Sequence, residues 1–344
     1  MNIYDIAKLA EVSPATVSRV INNRGNVKKD TARKIRKIID AHGYIPSATA
    51  RNLSVGVSKN IAFLVPDIEN PFFSKILHGI SDRASYYNYN VFMFGSNENI
   101  EKEHSILKSL SSDMVMGILV IPVSHDDTVT AKYLQDFEQK GVPVVLIDRD
   151  IRSHSFNGVF SEDEDGAYQG VCSLITEGHT RIAIITGPTT SRPGLNRLMG
   201  YQRALQEHGI ALRQDYIVSG EFKVEESYLA AKRLFSLKQP PTAIFTSNNL
   251  TTIGVLQYIR ENGLKLVRDI SLVGFDDIDY LNLLNINVSV IDRPIYDMGY
   301  QAMELLQNNY LKKDENRLIT QRVSAKTWLI KRGSEKYDPV IAAK

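Results

Sequence analysis

Two sets of residues in this chain could do chemistry. The first is Ala15, Thr16, Ser18, Arg19 and Asn22, inside the run YDIAKLAEVSPATVSRVIN at 4–22. These are short polar or methyl-bearing groups with one guanidinium, which suits close approach to base edges in a DNA major groove. The second set recurs along the body, each time just after an apolar run. It comprises Asp67, Asn70, Phe72 and Phe73, then Asp148 and Arg149, then Arg192, Asn196 and Arg197. Ser247, Asn248 and Asn249 follow, then Phe275, Asp276 and Asp277, and finally Asp292 with Arg293. Carboxylates, amides and guanidinium forks beside aromatic faces suit a polyhydroxylated ligand. They offer charge-assisted hydrogen bonds to hydroxyls and packing on the C–H face of a ring.

The first set needs a helix to present it. Ser13 can cap a helix that has Pro14 at its first position, where a missing N–H costs nothing. Val17, Val20 and Ile21 recur at i, i+3 and i+4 and give that helix a buried side. A preceding helix is expected to turn Tyr4, Ala7, Leu9 and Ala10 inward. A third helix fits 30–42, with Ala32, Ile35, Ile38 and Ile39 as its stripe and Gly43 as its stop. Residues 44–46 (Tyr-Ile-Pro) break the helical pattern. Residues 47–53 (SATARNL) have a Ser cap and good helix formers, but are too few to be helical alone in water. Residues 55–59 read as a linker.

The second set needs strands. Apolar runs at 61–65, 90–95, 117–121 and 142–147 alternate with helical patterns at 72–87 and 104–112. After a break near 156–165 the alternation resumes. Helices are expected at 164–178, 195–208, 225–236 and 250–262, with strands at 181–186, 216–219, 243–246 and 271–274. Continuous Val/Ile/Leu strands between amphipathic helices imply parallel sheets covered on both faces. Two such series imply two doubly wound lobes, in which ligands bind beyond the carboxyl ends of the strands.

Composition agrees. A chain of 344 residues suggests two or three domains. Residues 1–59 hold eleven Lys/Arg against four acids, a net of +7, and the remainder holds 30 against 35, a net of −5. A basic N-terminal module on a mildly acidic body is the footprint of a nucleic-acid binder. The bland alternative is a solvated basic helix without a partner. The single cysteine, Cys172, fits a reducing compartment and reads as a structural thiol. The N-terminus lacks the apolar core of a signal peptide, and no apolar run approaches 18 residues, so a cytoplasmic location is expected. There is no GxGxxG, no GxxxxGK[ST] and no GxSxG. The seven histidines never fall at i, i+3 or i, i+4, so neither enzyme chemistry, a cofactor nor a metal is expected.

With these residues in view, the chain closely resembles the lactose/galactose-repressor family of bacterial transcription regulators, from residue 3 to about 332. The most specific parts are YDIAKLAEVSPATVSRVIN, GYIPSATARNL, DIENPFF, PVVLIDR, the run 181–201 with RLMGY, and ISLVGFDD. The resemblance implies an all-α helix-turn-helix headpiece (1–46), then a hinge helix and linker (47–59). An α/β two-lobed periplasmic-binding-protein-like body (60–335) follows, built on two doubly wound parallel sheets, with a tail at 336–344. The N-lobe would take about 60–160 and 293–323, the C-lobe about 161–291 and 324–335. The body is also similar to periplasmic ribose-binding proteins, but the headpiece and the missing leader argue against transport. A sugar-binding protein without a DNA role and a sugar-modifying enzyme are the competing functions.

By resemblance, Ser13, Pro14, Ala15, Thr16 and Ser18 open the recognition helix, and Arg19 and Asn22 reach bases or phosphates. Ala50 and Arg51 would line a minor groove, with Leu53 as an apolar wedge at the centre of a palindromic operator. Leu53 could otherwise be a core leucine. Asn70, Phe72, Phe73, Asp148, Arg149, Arg197, Asn248 and Asp276 match sugar contacts. Two positions depart from the family: Asn249 stands where Asp is usual, and Arg293 where Gln commonly precedes the proline. Arg149, Arg197 and Arg293 in one pocket require counter-charge. An acidic effector, such as a sugar acid or sugar phosphate, would supply it. Alternatively Asp148, Asp276 and Asp292 supply it and the effector is a neutral pentose or hexose. The implied function is a homodimeric repressor of carbohydrate-utilisation genes, acting on double-stranded DNA at the nucleoid under a small carbohydrate effector.

Overall fold

Asn2 opens the first helix, α1 (Ile3–Ala10), with a capping box. Its side chain accepts from the Tyr4 and Asp5 N–H groups, and the Asp5 carboxylate returns to the Asn2 N–H at 2.8 Å. This is a computed structural model that describes residues 1–21, 25–44, 58–311 and 320–336. Its contacts fall into two units, Met1–Lys59 and Asn60–Lys344. In the first unit, Glu11 takes a left-handed φ of 58° and turns the chain into α2 (Pro14–Ile21). Ser13 Oγ accepts the Thr16 N–H at 3.2 Å at the start of α2. Helix α3 (Lys29–Ala41) ends before Gly43, whose φ is 58°.

Val17 and Val20 pack on Ile6, Ala7, Ala10 and Ile35, with Ile21 at the edge of that cluster. The expected inward face of α1 is partly wrong. Tyr4 is 69% exposed and Leu9 49% exposed. Ile6, not singled out from the sequence, is the residue that shares a face with Ala10 at i, i+4 and points to the partner helices. Asn22 and the whole segment 45–57, with Ala50, Arg51 and Leu53, lie outside the described residues.

The second unit holds two six-stranded sheets. Strands β1 (Asn60–Val65), β2 (Asn90–Gly95), β3 (Gly117–Val120), β4 (Val144–Ile147) and β5 (Asn157–Ser161) join β11 (Arg322–Ala325). They are all parallel, in the order β11-β5-β4-β3-β1-β2. Strands β6 (Ile182–Thr186), β7 (Ile217–Ser219), β8 (Ala243–Thr246), β9 (Ser271–Phe275) and β10 (Ser289–Asp292) join β12 (Trp328–Ile330). Their order is β12-β10-β9-β8-β6-β7, with only the β12 edge antiparallel. The central strands are buried along their whole length, as strands covered on both faces must be. Helices α4 (Pro71–Tyr86) and α12 (Ile295–Leu311) cover one face of the first sheet; α5 (Ile100–Ser109) and α6 (Thr128–Gln139) cover the other. Helices α7 (Asp163–Thr176) and α8 (Arg192–Glu207) cover one face of the second sheet, and α9 (Val224–Phe235) and α10 (Asn249–Glu261) the other. A short α11 (Asp279–Leu283) follows β9.

The expected break near 156–165 is in fact strand β5, stitched between β4 and β11. Helix α5 starts at Ile100, ahead of the expected 104, because Asn99 caps it through the Lys102 N–H at 2.7 Å. Helices α4 and α12 touch backbone to backbone. A Cβ on Gly79 would meet Tyr296 O at 2.1 Å, and one on Gly299 would meet Ile76 O at 2.1 Å. The chain passes between the sheets at three places: after β5, between β10 and α12, and between β11 and β12. Glu162 N–H donates to Ala325 O at 3.0 Å, tying the first crossing to the third. Among the described residues no helix is long and apolar enough to cross a membrane.

Candidate functional site

Beyond the carboxyl ends of both sheets lies a cavity of about 400 Å³. Its lining includes Asn70, Phe72, Phe73, Asp148, Arg149, Arg197, Asn248, Asp276 and Arg293. Local structure explains how they arrive there. Asn70 caps α4 through the Phe72 N–H at 2.9 Å, which puts Phe72 and Phe73 in the first turn with their rings edge to face, 5.1 Å apart. Asn248 caps α10 through the Thr251 N–H at 2.8 Å. Asp148 and Asp276 directly follow β4 and β9, with left-handed φ of 62° and 65°. Aspartate tolerates that region better than most residues. Each is pinned by its own N–H, Asp148 to Val159 O at 2.8 Å and Asp276 to Ile291 O at 2.7 Å. The two lobes therefore present matching carboxylates from matching turns.

The three arginines are nearly fully buried, and each is answered from within the chain. Arg149 makes a two-pronged pair with Glu98 at 2.8 and 2.7 Å. Arg197 donates to Asp163 Oδ1 at 2.9 and 2.6 Å and to Ser247 O, and lies 3.6 Å above the Phe275 ring. Arg293 donates to Asp276 at 2.7 and 3.3 Å, to Asp148 at 2.5 Å and to Ser161 Oγ at 2.7 Å. Asp163 lies a further 3.7 Å away. Burial opposes the charge on Arg293, but Asp276, Asp148 and Asp163 outweigh it and hold the guanidinium above its ordinary pKa. The sequence reading of the counter-charges is half corrected. Asp148 and Asp276 do serve, both on Arg293. Asp292 pairs with none of the three arginines, and burial pushes its carboxyl up. Glu98 and Asp163 take the remaining places.

Sequence reasoning missed Glu98, Asp163 and Phe222. Glu98 follows β2 and Phe222 follows β7, so applying the strand-end rule to those two strands would have found them. Asp67, Glu69 and Lys223 complete the charged lining. Arg192 and Asn196 line a separate cavity of about 190 Å³ instead. There Arg192 pairs with Asp150, which also holds Arg322 at 2.5 Å. Cys172 is half-buried, and burial pushes its thiol up, away from reactivity. Among the described residues no cluster of His, Cys, Asp and Glu could hold a metal ion.

Glu103 lies behind Arg149, fully enclosed. It accepts from Val123 N–H at 2.9 Å and Thr130 Oγ at 2.7 Å. Burial pushes its carboxyl up to about 7, against these two bonds. A folded-state pKa above the unfolded value favours the fold below about 4.5, and the benefit fades as pH rises through about 7. Glu103→Gln, which cannot ionise, should therefore melt higher than wild type at pH 8, by about 3 kcal/mol at most. The gap should close towards pH 4.5 in a melting series.

In the headpiece, Ser13, Ala15 and Arg19 are exposed and Pro14, Thr16 and Ser18 partly so, while Val17 and Val20 are buried. Lys28, Lys29, Arg33, Lys34, Arg36 and Lys37 add exposed basic groups.

The known proteins agree with this organisation. The sequence model for periplasmic binding proteins and the sugar binding domain of the LacI family matches residues 58–327, and that for bacterial regulatory proteins, lacI family, matches residues 2–47. The chain belongs to the LacI family. It is similar to catabolite control protein A of Priestia megaterium, with 33% identity over 91% of this chain and 93% of the relative. It is also similar to the ribose operon repressor of Halalkalibacterium halodurans, with 32% identity over 97% of each. Its fold matches the crystal structure of the lac repressor dimer bound to operator and an anti-inducer. The TM-score is 0.81 and the identity 24%, over 98% of this chain and 99% of that one. This LacI-family chain is a DNA-binding transcriptional regulator with a sugar-binding-type body, not an enzyme.

Proposed function

We propose that the protein is a homodimeric, cytoplasmic repressor of carbohydrate-utilisation genes, released from or fixed on a palindromic operator by an uncharged sugar in the cleft. Ser13, Pro14, Ala15, Thr16, Ser18 and Arg19 face the major groove, joined by Asn22, while by family resemblance Ala50 and Arg51 line the minor groove and Leu53 wedges into it. Asn70, Phe72, Phe73, Asp148, Arg149, Arg197, Asn248, Asp276 and Arg293 hold the effector. The observation that carries the effector class is the charge balance of the cleft. The cavity and the groups bonded behind it hold six carboxylates (Asp67, Glu69, Glu98, Asp148, Asp163, Asp276) against four cations (Arg149, Arg197, Lys223, Arg293). The arginines are already neutralised, so an acidic ligand would add repulsion where water is scarce. Hydroxyls can still bond to the outer lone pairs, and Phe72, Phe73 and Phe222 can pack on a sugar ring. The volume is near the lower end of ligand pockets, about 300–1,000 Å³, which suits a monosaccharide.

An apolar groove lined by Ile253, Leu256, Leu266 and Tyr280 supports self-association. Leu284, also in its lining, is 66% exposed, and the adjacent Leu283 is 83% exposed. A ligand shifts operator binding only by its differential affinity for the lobe arrangements. A thermal-shift screen of matched neutral sugars, aldonic acids and sugar phosphates tests the reading. A neutral sugar should raise the melting temperature and change operator affinity. Stabilisation confined to acids or phosphates would overturn the effector class.

A further inference from the structure

We propose that Asn249 is a positioning residue of the cleft: its amide clasps Asn70 across the two lobes and holds the cleft closed. Asn249 Nδ2 donates to Asn70 Oδ1 at 2.9 Å, and both residues are about 5% exposed. Asn70 follows β1 in one lobe, and Asn249 opens α10 in the other.

The direction of this bond is fixed at both ends. Asn70 Oδ1 is committed to the Phe72 N–H, the cap of α4, so it must also be the oxygen that faces Asn249. Asn249 Oδ1 accepts the Leu250 N–H at 2.9 Å, which turns its Nδ2 towards Asn70. An amide donor is therefore required at 249. A carboxylate there would set oxygen against oxygen. Turning Asn70 round to offer its own donor would cost the α4 cap. This gives a physical meaning to the departure noted at 249, where the family usually carries Asp.

The neighbouring link between lobes, Lys75 Nζ to Asp279 at 2.8 Å, has partners 38% and 71% exposed and is screened by solvent. The amide clasp is the sheltered link of the two. In functional terms, which rest on the effector reading above, closure supplied by the chain raises the population of the binding-competent state before any ligand arrives.

The clasp can be tested without an effector, so its failure would leave the effector reading untouched. Another pair of loops provides a reporter: the His125 N–H donates to Thr190 O of the other lobe at 2.9 Å. Amide hydrogen exchange of the peptide covering His125, in the free full-length protein, reads lobe opening away from the mutated site. Asn249→Asp and the uncharged Asn249→Ala should both speed this exchange, by about tenfold, the value of one buried hydrogen bond. Asn70→Asp adds the same negative charge as Asn249→Asp. Its carboxylate still caps α4 and still accepts from Asn249, so exchange should be unchanged or slower. If both Asp variants speed exchange alike, added charge is the cause and the clasp is refuted. Unchanged exchange in Asn249→Ala refutes it equally. Exchange in the β8 core peptide identifies a variant that has lost its fold, and Asn249→Ala and Asn70→Asp then decide between them.

Discussion

Replacing Arg293 with glutamine is expected to cost the body about 3–5 kcal/mol of stability at neutral pH, the range for stranding one side of a buried ion pair. The guanidinium is 3% exposed and sits at the crossing from β10 to α12, where it answers Asp276 and Asp148 from different lobes. Glutamine retains donors but no charge, so both carboxylates become buried anions. On sequence alone the same substitution reads as a test of effector charge, since glutamine is the commoner residue there. The ion cluster makes it a test of stability first, and effector affinity should fall for neutral and acidic ligands alike. Arg197→Ala belongs to the same class, because it strands Asp163. Urea unfolding at pH 7 and pH 5 checks the prediction. In the variant the stranded carboxylates bind protons more tightly folded than unfolded, so its deficit should shrink at the lower pH. An unchanged midpoint at pH 7 would mean that Arg293 does not carry the charge balance.

Affinity for operator DNA should fall about a thousandfold between 50 and 200 mM salt, as for proteins that neutralise six or more phosphates. The cause is the net charge of +7 on residues 1–59, present twice in a dimer. Counterions released from the duplex are recaptured at high salt, so log affinity falls linearly with log salt. Fluorescence anisotropy of a labelled palindromic duplex measures the slope directly. Arg19→Ala should weaken binding without melting the headpiece, because Arg19 is exposed and outside the Ile6–Val17–Ile35 cluster. A slope near zero would overturn the electrostatic account of operator binding.

Alternation of apolar strands and amphipathic helices was enough to read the two parallel sheets and the strand-end location of the cleft. Periodicity could not resolve β5, whose Asn-Gly start and acidic flank look like a loop. Its strand character comes from β4 and β11, the second of which lies 161 or more residues further along. In α1, inward-facing Ile6 and outward-facing Tyr4 and Leu9 are both apolar, so residue type alone could not choose the face. In the cleft, the residue types were legible but the pairing was not. Glu98 lies 51 residues from Arg149, and Asp163 lies 34 from Arg197. Only the fold decides which carboxylate reaches which guanidinium, and it excludes Asp292.

The threefold crossing between the sheets has a consequence for how the molecule is made. Strands β1 to β5 leave the ribosome first, yet α12, with Met298, Ala302, Met303 and Leu306, supplies one wall of their core and β11 supplies an edge. The second lobe, by contrast, has five of its six strands in the contiguous stretch 182–292. The half synthesised first therefore stays incomplete until most of the second half has emerged. Until residue 311 emerges, Ile61, Phe63 and Leu119 lack the part of their cover that α12 supplies, and the nascent chain exposes apolar surface of the kind that holding factors bind. A chain released after residue 294 should carry a protease-sensitive first lobe beside a more resistant second lobe that lacks only β12 of its strands.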